Sequence, residues 1–135
     1  MKKITIPVAA LAFSLLTSLA PAATTEPKQT IQQFFEAVQK NDVEGSLRKL
    51  FNGAELTSDG EKEISSGIKN ALSIYGTPSR FDLVSEIPKG PVVVELIYTQ
   101  SFAARPLVWK FFAYQGSQRW IIIDANFNDK TNLLD

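Results

Sequence analysis

The chain has 135 residues, 44% of them hydrophobic and 21% charged, with fourteen Lys and Arg against fourteen Asp and Glu. That is ordinary globular composition, which argues against a disordered, fibrous or repeat protein. Histidine and cysteine are absent, which excludes Ser-His-Asp and Cys-His nucleophilic sites, Cys/His zinc sites, disulfides, thiol redox chemistry and a lipid-anchored cysteine.

The N-terminal stretch has the layout of a secretory signal peptide. Lys2 and Lys3 form a positive start, Ile4 to Leu19 is apolar apart from Thr5, Pro7, Ser14, Thr17 and Ser18, and Ala20-Pro21-Ala22 offers small residues for cleavage. Cutting after Ala22 is expected, because a cut after Ala20 would place Pro21 just beyond the scissile bond. The apolar run is shorter than the roughly 20 residues that cross a bilayer, so no membrane anchor is expected after cleavage. Residues 1–22 are therefore read as the signal and 23–135 as one domain, periplasmic or secreted from a bacterium. Its bases are scattered singly apart from Arg48-Lys49, a pattern that suits neither nucleic acid nor an anionic membrane surface.

Three helices are predicted first. Pro27 suits a first helical turn, and Ile31, Phe34, Phe35 and Val38 follow at i, i+3, i+4 and i+7, one apolar stripe. Asp42 can cap a second helix whose stripe is Val43, Leu47, Leu50 and Phe51, weakened at Gly45 and stopped by Asn52-Gly53. Ser58-Asp59-Gly60-Glu61 matches a capping box. It opens a third helix with Ile64, Ile68, Leu72 and Tyr75 on one face, ended by Gly76 and Pro78.

The period then changes to that of strands. Arg80 to Ile87 alternates, with Phe81, Leu83 and Ile87 on one side, and Pro88-Lys89-Gly90-Pro91 is a turn. Val92 to Phe102, Leu107 to Tyr114 and Arg119 to Ala125 read as three further strands. Ala103 to Pro106 and Gln115 to Gln118 break the run between them. Asn126 to Asp135 reads as a polar tail, with Phe127, Leu133 and Leu134 available to dock. Helices followed by an antiparallel meander give an α+β domain, three N-terminal helices packed on a curved sheet of about four strands.

That order of elements resembles the cone-shaped, cystatin-like α+β fold of the nuclear transport factor two-like superfamily. Three features carry the likeness over residues 27–128: the helix with Ile31-Gln32-Gln33-Phe34-Phe35 and the Asn41-Asp42 after it, the third helix ending in Tyr75-Gly76, and the closing hairpin from Trp109-Lys110-Phe111-Phe112 to Arg119-Trp120-Ile121-Ile122-Ile123. The resemblance is strongest to small exported bacterial members of uncharacterised function. The superfamily hosts enzymes, ligand binders and assembly modules, so it implies a fold and no single activity.

The strands carry more apolar surface than three helices can cover. Val92-Val93-Val94, Leu96-Ile97-Tyr98, Leu107-Val108-Trp109 and Trp120 to Ile123 fill both faces, where a half-covered antiparallel strand would alternate. A second face of this kind implies a homodimer, an envelope protein partner, cover by the chain itself, or a pocket.

Chemistry is less legible. The polar groups that could line the cone are Asp82, Glu86, Glu95, Tyr98, Arg105, Tyr114 and Asp124, and the resemblance implies that Tyr98 with Asp82 or Glu95 could form the acid–base set of ketosteroid-isomerase-like relatives of this fold. A strand tyrosine is more commonly a core aromatic, however, and a strand carboxylate a solvated one. Arg80, Arg105 and Arg119 could hold an anion. Asp124 to Asp129 is rich in oxygen ligands but lacks the Gly and closing Glu of a calcium loop. Trp109 and Trp120 are expected side by side across the hairpin. The reading that follows is of an exported, non-enzymatic domain that self-associates or binds a protein through its apolar sheet face, with no catalytic residues, metal or cofactor. The alternative is a binder of a small apolar or anionic molecule in the cone interior, lined by Tyr75, Tyr98, Trp109, Tyr114 and Arg105. Export itself is checked by N-terminal sequencing of the protein recovered from the periplasm or medium of an expressing bacterium, which is expected to begin at Ala23; an intact Met1 or Lys2 start there would refute the cleavage assignment.

Overall fold

The first helix, α1, is organised by its apolar stripe: Ile31, Phe34, Phe35 and Val38 are all buried. The structure, a computed structural model, describes residues 25–52, 54, 57–130 and 134. The signal-peptide assignment, the stop at Gly53 and the docking of Leu133 lie outside those residues. Among them, α1 occupies 25–39, α2 is Val43–Leu50 and α3 is Ser58–Tyr75. The strands β1 (Arg80–Pro88), β2 (Val93–Ser101), β3 (Pro106–Gln115) and β4 (Trp120–Asn128) follow. The strands form one antiparallel sheet in the order β1-β2-β3-β4.

The helix ends follow local chemistry. Asn41 adopts a left-handed conformation (φ 63°), which Asn tolerates better than most residues, and turns the chain sharply out of α1. Asp42 then caps α2 by accepting a hydrogen bond from the Gly45 N–H at 3.1 Å. Gly45 does more than weaken this helix: a Cβ there would lie 2.1 Å from the Asp42 carboxylate, so the glycine makes the cap possible. The cap of α3 is Thr57, one residue ahead of the expected Ser58, accepting from the Gly60 N–H at 3.1 Å. Gly76 ends α3 at φ 87°, with its N–H donating to the Leu72 carbonyl at 2.9 Å.

Two β-bulges decide which side chains face the helices. In β1 the register with β2 slips between Leu83 and Ser85, so Val84 is the extra residue and the alternation reverses beyond it. Phe81 and Leu83 stay on the inner side, but Ile87 pairs with Glu95 on the outer side and Glu86 moves inward beside Leu96. The expected grouping of Phe81, Leu83 and Ile87 on one side is thereby corrected. In β4 the slip against Phe112 and Ala113 leaves Ile123 as the extra residue. The strand then continues three residues past the expected end at Ala125, so Asn126 to Asn128 are strand and not tail.

Between α1 and the sheet lies a cluster of rings. Phe34 and Phe35 pack against Trp109 and Phe111 with ring centroids 5.1–6.0 Å apart. Phe35 also stacks on Phe81 at 4.9 Å and meets Tyr98 at 5.6 Å. Such edge and offset contacts add to the large apolar area each ring buries. Trp109 stands opposite Phe127 and stacks on it at 4.4 Å. Trp120 is at the far end of the hairpin opposite Gln115, so the two tryptophans are not neighbours across the strands. Leu47, Leu50, Ile68 and Ala71 close the core from α2 and α3.

One polar pair is enclosed in this core. The Trp109 Nε1–H donates to Gln100 Oε1 at 3.0 Å, which leaves the buried Gln100 Nε2 without a partner. Gln100→Leu is expected to cost about 1–3 kcal/mol, because it strands the indole N–H in an apolar interior. In a Trp109→Phe background the same Gln100→Leu change should cost much less, since no indole N–H is left to strand; chemical denaturation of the four proteins of the cycle measures the coupling, and strict additivity would refute it.

Candidate functional site

Three places on the molecule gather groups that could act on another molecule: the inner face beside β1, the groove at the end of α3, and the outer face of the sheet.

At the inner face, the bulge at Val84 sends Glu86 toward α1, where its carboxylate meets Lys28 Nζ at 2.6 Å. The Tyr98 hydroxyl is the neighbouring polar group. Burial, with a smaller contribution from the Glu86 charge, pushes the Tyr98 hydroxyl up to about 12. The carboxylates considered for a catalytic set with Tyr98 are elsewhere. Asp82 and Glu95 occupy the opposite parity of their strands, so both point to the outer face. Asp82 is gripped by Arg80 through hydrogen bonds of 2.9 and 2.6 Å, and that guanidinium holds its carboxyl below the ordinary carboxylate range. Tyr98 and the carboxylates of that set therefore do not meet.

The groove at the end of α3 brings together two of the predicted binding residues. The Tyr75 hydroxyl donates to Asp129 Oδ2 at 3.3 Å. The Arg105 guanidinium lies 5.8 Å over the Tyr75 ring, its Nη2 donates to the Asp129 carbonyl at 2.7 Å, and its Nη1 stands 3.6 Å from the Asp129 carboxylate. The adjoining groove has a volume of about 260 Å³, between α3 and the ends of β3 and β4. The other predicted binding residues are dispersed. Trp109 is fully buried and Tyr98 nearly so within the core, while Tyr114 is exposed on the outer face opposite Val93 and Ile121. The five do not line one cavity, and the rings of Phe34, Phe35, Phe81, Tyr98, Trp109 and Phe111 occupy the space between α1 and the sheet.

All three arginines weighed as anion holders are engaged: Arg80 with Asp82, Arg105 with Asp129, and Arg119 with the Asn52 carbonyl. The stretch Asp124 to Asn128 is extended strand rather than a ligating loop. Among the described residues no group of three or more Asp and Glu is arranged to hold a metal ion, and no helix is long and apolar enough to cross a membrane.

The outer face carries Val93, Ile97, Thr99, Val108, Phe112, Tyr114 and Ile121, by the register of β2, β3 and β4. Ile97 is 7% and Val108 0% exposed, yet neither belongs to the core under the helices. In their midst is the Glu95 carboxylate, nearly covered, with Lys89 Nζ at 3.5 Å and Lys110 Nζ at 4.0 Å. Exposed Ile87 and Ile123 flank this face.

The order of elements, the single antiparallel sheet and the helices against one face match a solved structure. An NTF-2 like protein of unknown function from Silicibacter pomeroyi DSS-3 superposes with a TM-score of 0.53 at 15% identity, over 84% of this chain and 98% of that one. This chain has an NTF2-like fold. Bdellovibrio bacteriovorus Bd1075 aligns at a TM-score of 0.49 and 15% identity, over 78% of this chain and 40% of that one. No protein-family model and no curated protein matches the sequence. The NTF2-like fold agrees with the resemblance drawn from the helix stripe and the closing hairpin.

Lys28 was not legible as a site residue; Glu86 was among the polar groups expected to line the cone but was not paired with Tyr98, and Asp129 was weighed only as an oxygen ligand, not as a partner of Tyr75 and Arg105. Glu86 depends on a bulge that has no residue signature, and Asp129 is 54 positions from its partner Tyr75. The raised Tyr98 hydroxyl has a consequence for stability. Since its folded value lies above that of a free tyrosine, about 10, its contribution is intact below pH about 10 and is lost as pH rises to about 12. Denaturant titrations across that range are expected to show a decline that Tyr98→Phe lessens; an identical decline in the variant would exclude Tyr98 as its source.

Proposed function

We propose that the chain is an exported, non-enzymatic binding domain that associates with a second copy through the outer face of its sheet. The observation that carries this reading is the row of apolar side chains on the side of the sheet away from the helices: Val93, Phe112, Tyr114 and Ile121 are partly or openly exposed around the covered Ile97 and Val108, bordered by Ile123, which is 47% exposed. Ile97 and Val108 are covered already, so the surface left to bury is on Val93, Phe112, Tyr114, Ile121 and Ile123; full burial of a Val, Ile or Phe is worth roughly 1.5–3 kcal/mol, and these half-exposed residues would each gain a part of that. A contiguous set of this kind is the usual mark of an interface.

The charges on the face suit a two-fold contact. Glu95 and Asp124 are matched on the same face by Lys89 and Lys110, so two copies meeting face to face bring no excess of one sign. A different envelope protein is the other occupant this face could take. A catalytic reading has less support. Tyr98 has Glu86 as its neighbour, and that carboxylate is already paired with Lys28. A ligand in the cone interior has little room beside the six packed rings.

Size-exclusion chromatography with light scattering on residues 23–135 is expected to give a dimer, and Ile123→Lys and Ile121→Glu are expected to weaken dimerisation at least tenfold with little change in monomer stability. A wild-type protein that remains monomeric at the highest attainable concentration removes the self-association reading.

A further inference from the structure

The exposed apolar surface of the outer face is confined to one end of the sheet, and the charges on it are divided unevenly between its two sides. We propose, on the basis of the self-association reading, that a second copy docks in one orientation only: the two-fold axis runs along the strands between β2 and β3, so that Asp124 of each copy pairs with the partner's Lys89.

Cross-strand rows locate the contact. Nearest the β1–β2 and β3–β4 turns the outer row is Val93, Tyr114 and Ile121, and the next is Ile87, Glu95, Phe112 and Asp124. The five apolar residues of these two rows are all partly or openly exposed. Toward the opposite end the rows turn polar. Asp82, Thr99 and Asn128 share a row with the covered Val108, and Arg80 stands opposite Ser101 in the last. A copy seated on the first two rows buries the exposed apolar surface and leaves the polar end in water.

The direction of approach follows from the charges in those rows. Lys89 and Lys110 both gather around Glu95, at 3.5 and 4.0 Å, which leaves the β1–β2 side of the face with one positive charge in excess. Asp124 lies two strands away on β4, exposed, and among the described residues no lysine or arginine pairs with it. The Arg80–Asp82 pair at the polar end closes on itself and favours neither side. The face is therefore positive toward β1 and negative at β4. A two-fold axis across the strands would preserve that order, setting each Asp124 against its own copy and the lysines against each other, which like charges resist. An axis along the strands reverses the order, because it lays β4 of one copy over β1 of the other, where Lys89 leaves the strand. Facing sheets lie about 10 Å apart, a gap that an aspartate and a lysine reaching toward each other span. The strands of the two sheets then stay nearly aligned, as packed antiparallel sheets commonly are.

Charge exchange tests this by sedimentation equilibrium at low salt, on protein purified after expression of the full chain. Asp124→Lys and Lys89→Glu, both at exposed positions, are each expected to weaken dimerisation about tenfold, since each sets like charges together at two symmetric contacts. Mixed in equal amounts, the two variants are expected to form a heterodimer within about threefold of the wild-type affinity, because both contacts then join opposite charges. High salt should shrink the losses of the single variants. The chain has no cysteine, so a short bis-maleimide gives a second measurement: it should join Asp124→Cys to Lys89→Cys in preference to either variant with itself. A wild-type protein that dimerises while the mixed variants fail to recover overturns the orientation alone and leaves self-association standing. So does a preference of Asp124→Lys for the wild type over Lys89→Glu, which would bring the two Asp124 side chains together, or cross-linking of Asp124→Cys mainly to itself. A monomeric wild type removes the self-association reading and this orientation with it.

Discussion

Two adjacent phenylalanines on one helix set the terms for the rest of the structure. Neighbouring residues on a helix point about 100° apart, so Phe34 and Phe35 can both be buried only if the surface they face bends around them. The sheet supplies that surface with Trp109, Phe111, Tyr98 and Phe81. Bulges are the device by which strands bend and twist more strongly, and the sheet has one in each edge strand, at Val84 and at Ile123. The aromatic pair, the bulges and the altered facing of the residues beyond them form one connected set of constraints.

The division of polar groups follows from that set. Because β1 changes parity at Val84, Glu86 turns in to meet Lys28 while Ile87 turns out beside Glu95. The inner face thus acquires an ion pair next to a tyrosine, and the outer face acquires another apolar side chain beside a carboxylate. This nearly covered carboxylate has Lys89 and Lys110 at 3.5 and 4.0 Å, and it lies at the centre of the surface proposed to meet a second copy. A charge in that place limits the registers in which two such faces can approach, since Glu95 and its two lysines must meet complementary groups on the facing copy and not its apolar side chains.

The helices were the legible part of the sequence. Stripes at i, i+3 and i+4 identified the large apolar residues that α1 and α2 bury against the core, missing only small ones such as Ala37, because helix periodicity is local. Capping was legible to within one residue: Asp42 is the cap expected, while Thr57 replaces Ser58, both being residues whose hydroxyl or carboxylate can take the same hydrogen bond. The strands were located but their ends and faces were less so. Asn126 and Asn128 look like turn residues in isolation, yet pairing with Lys110 and Val108 holds them in β4.

The amino-acid sequence alone determined the order of helices and strands and the apolar content of the strands, because each depends on residue type and spacing over a few turns or strand positions; the NTF2-like character came from the resemblance of that order to a known superfamily. Tertiary structure alone decided which side of the sheet each residue occupies after a bulge, that Tyr98 neighbours Glu86 instead of Asp82 or Glu95, and that Tyr75, Arg105 and Asp129 converge. The physical reason is that a strand's period is two: one extra residue reverses everything after it. Bulges arise from how the sheet packs on the helices, which no local pattern encodes.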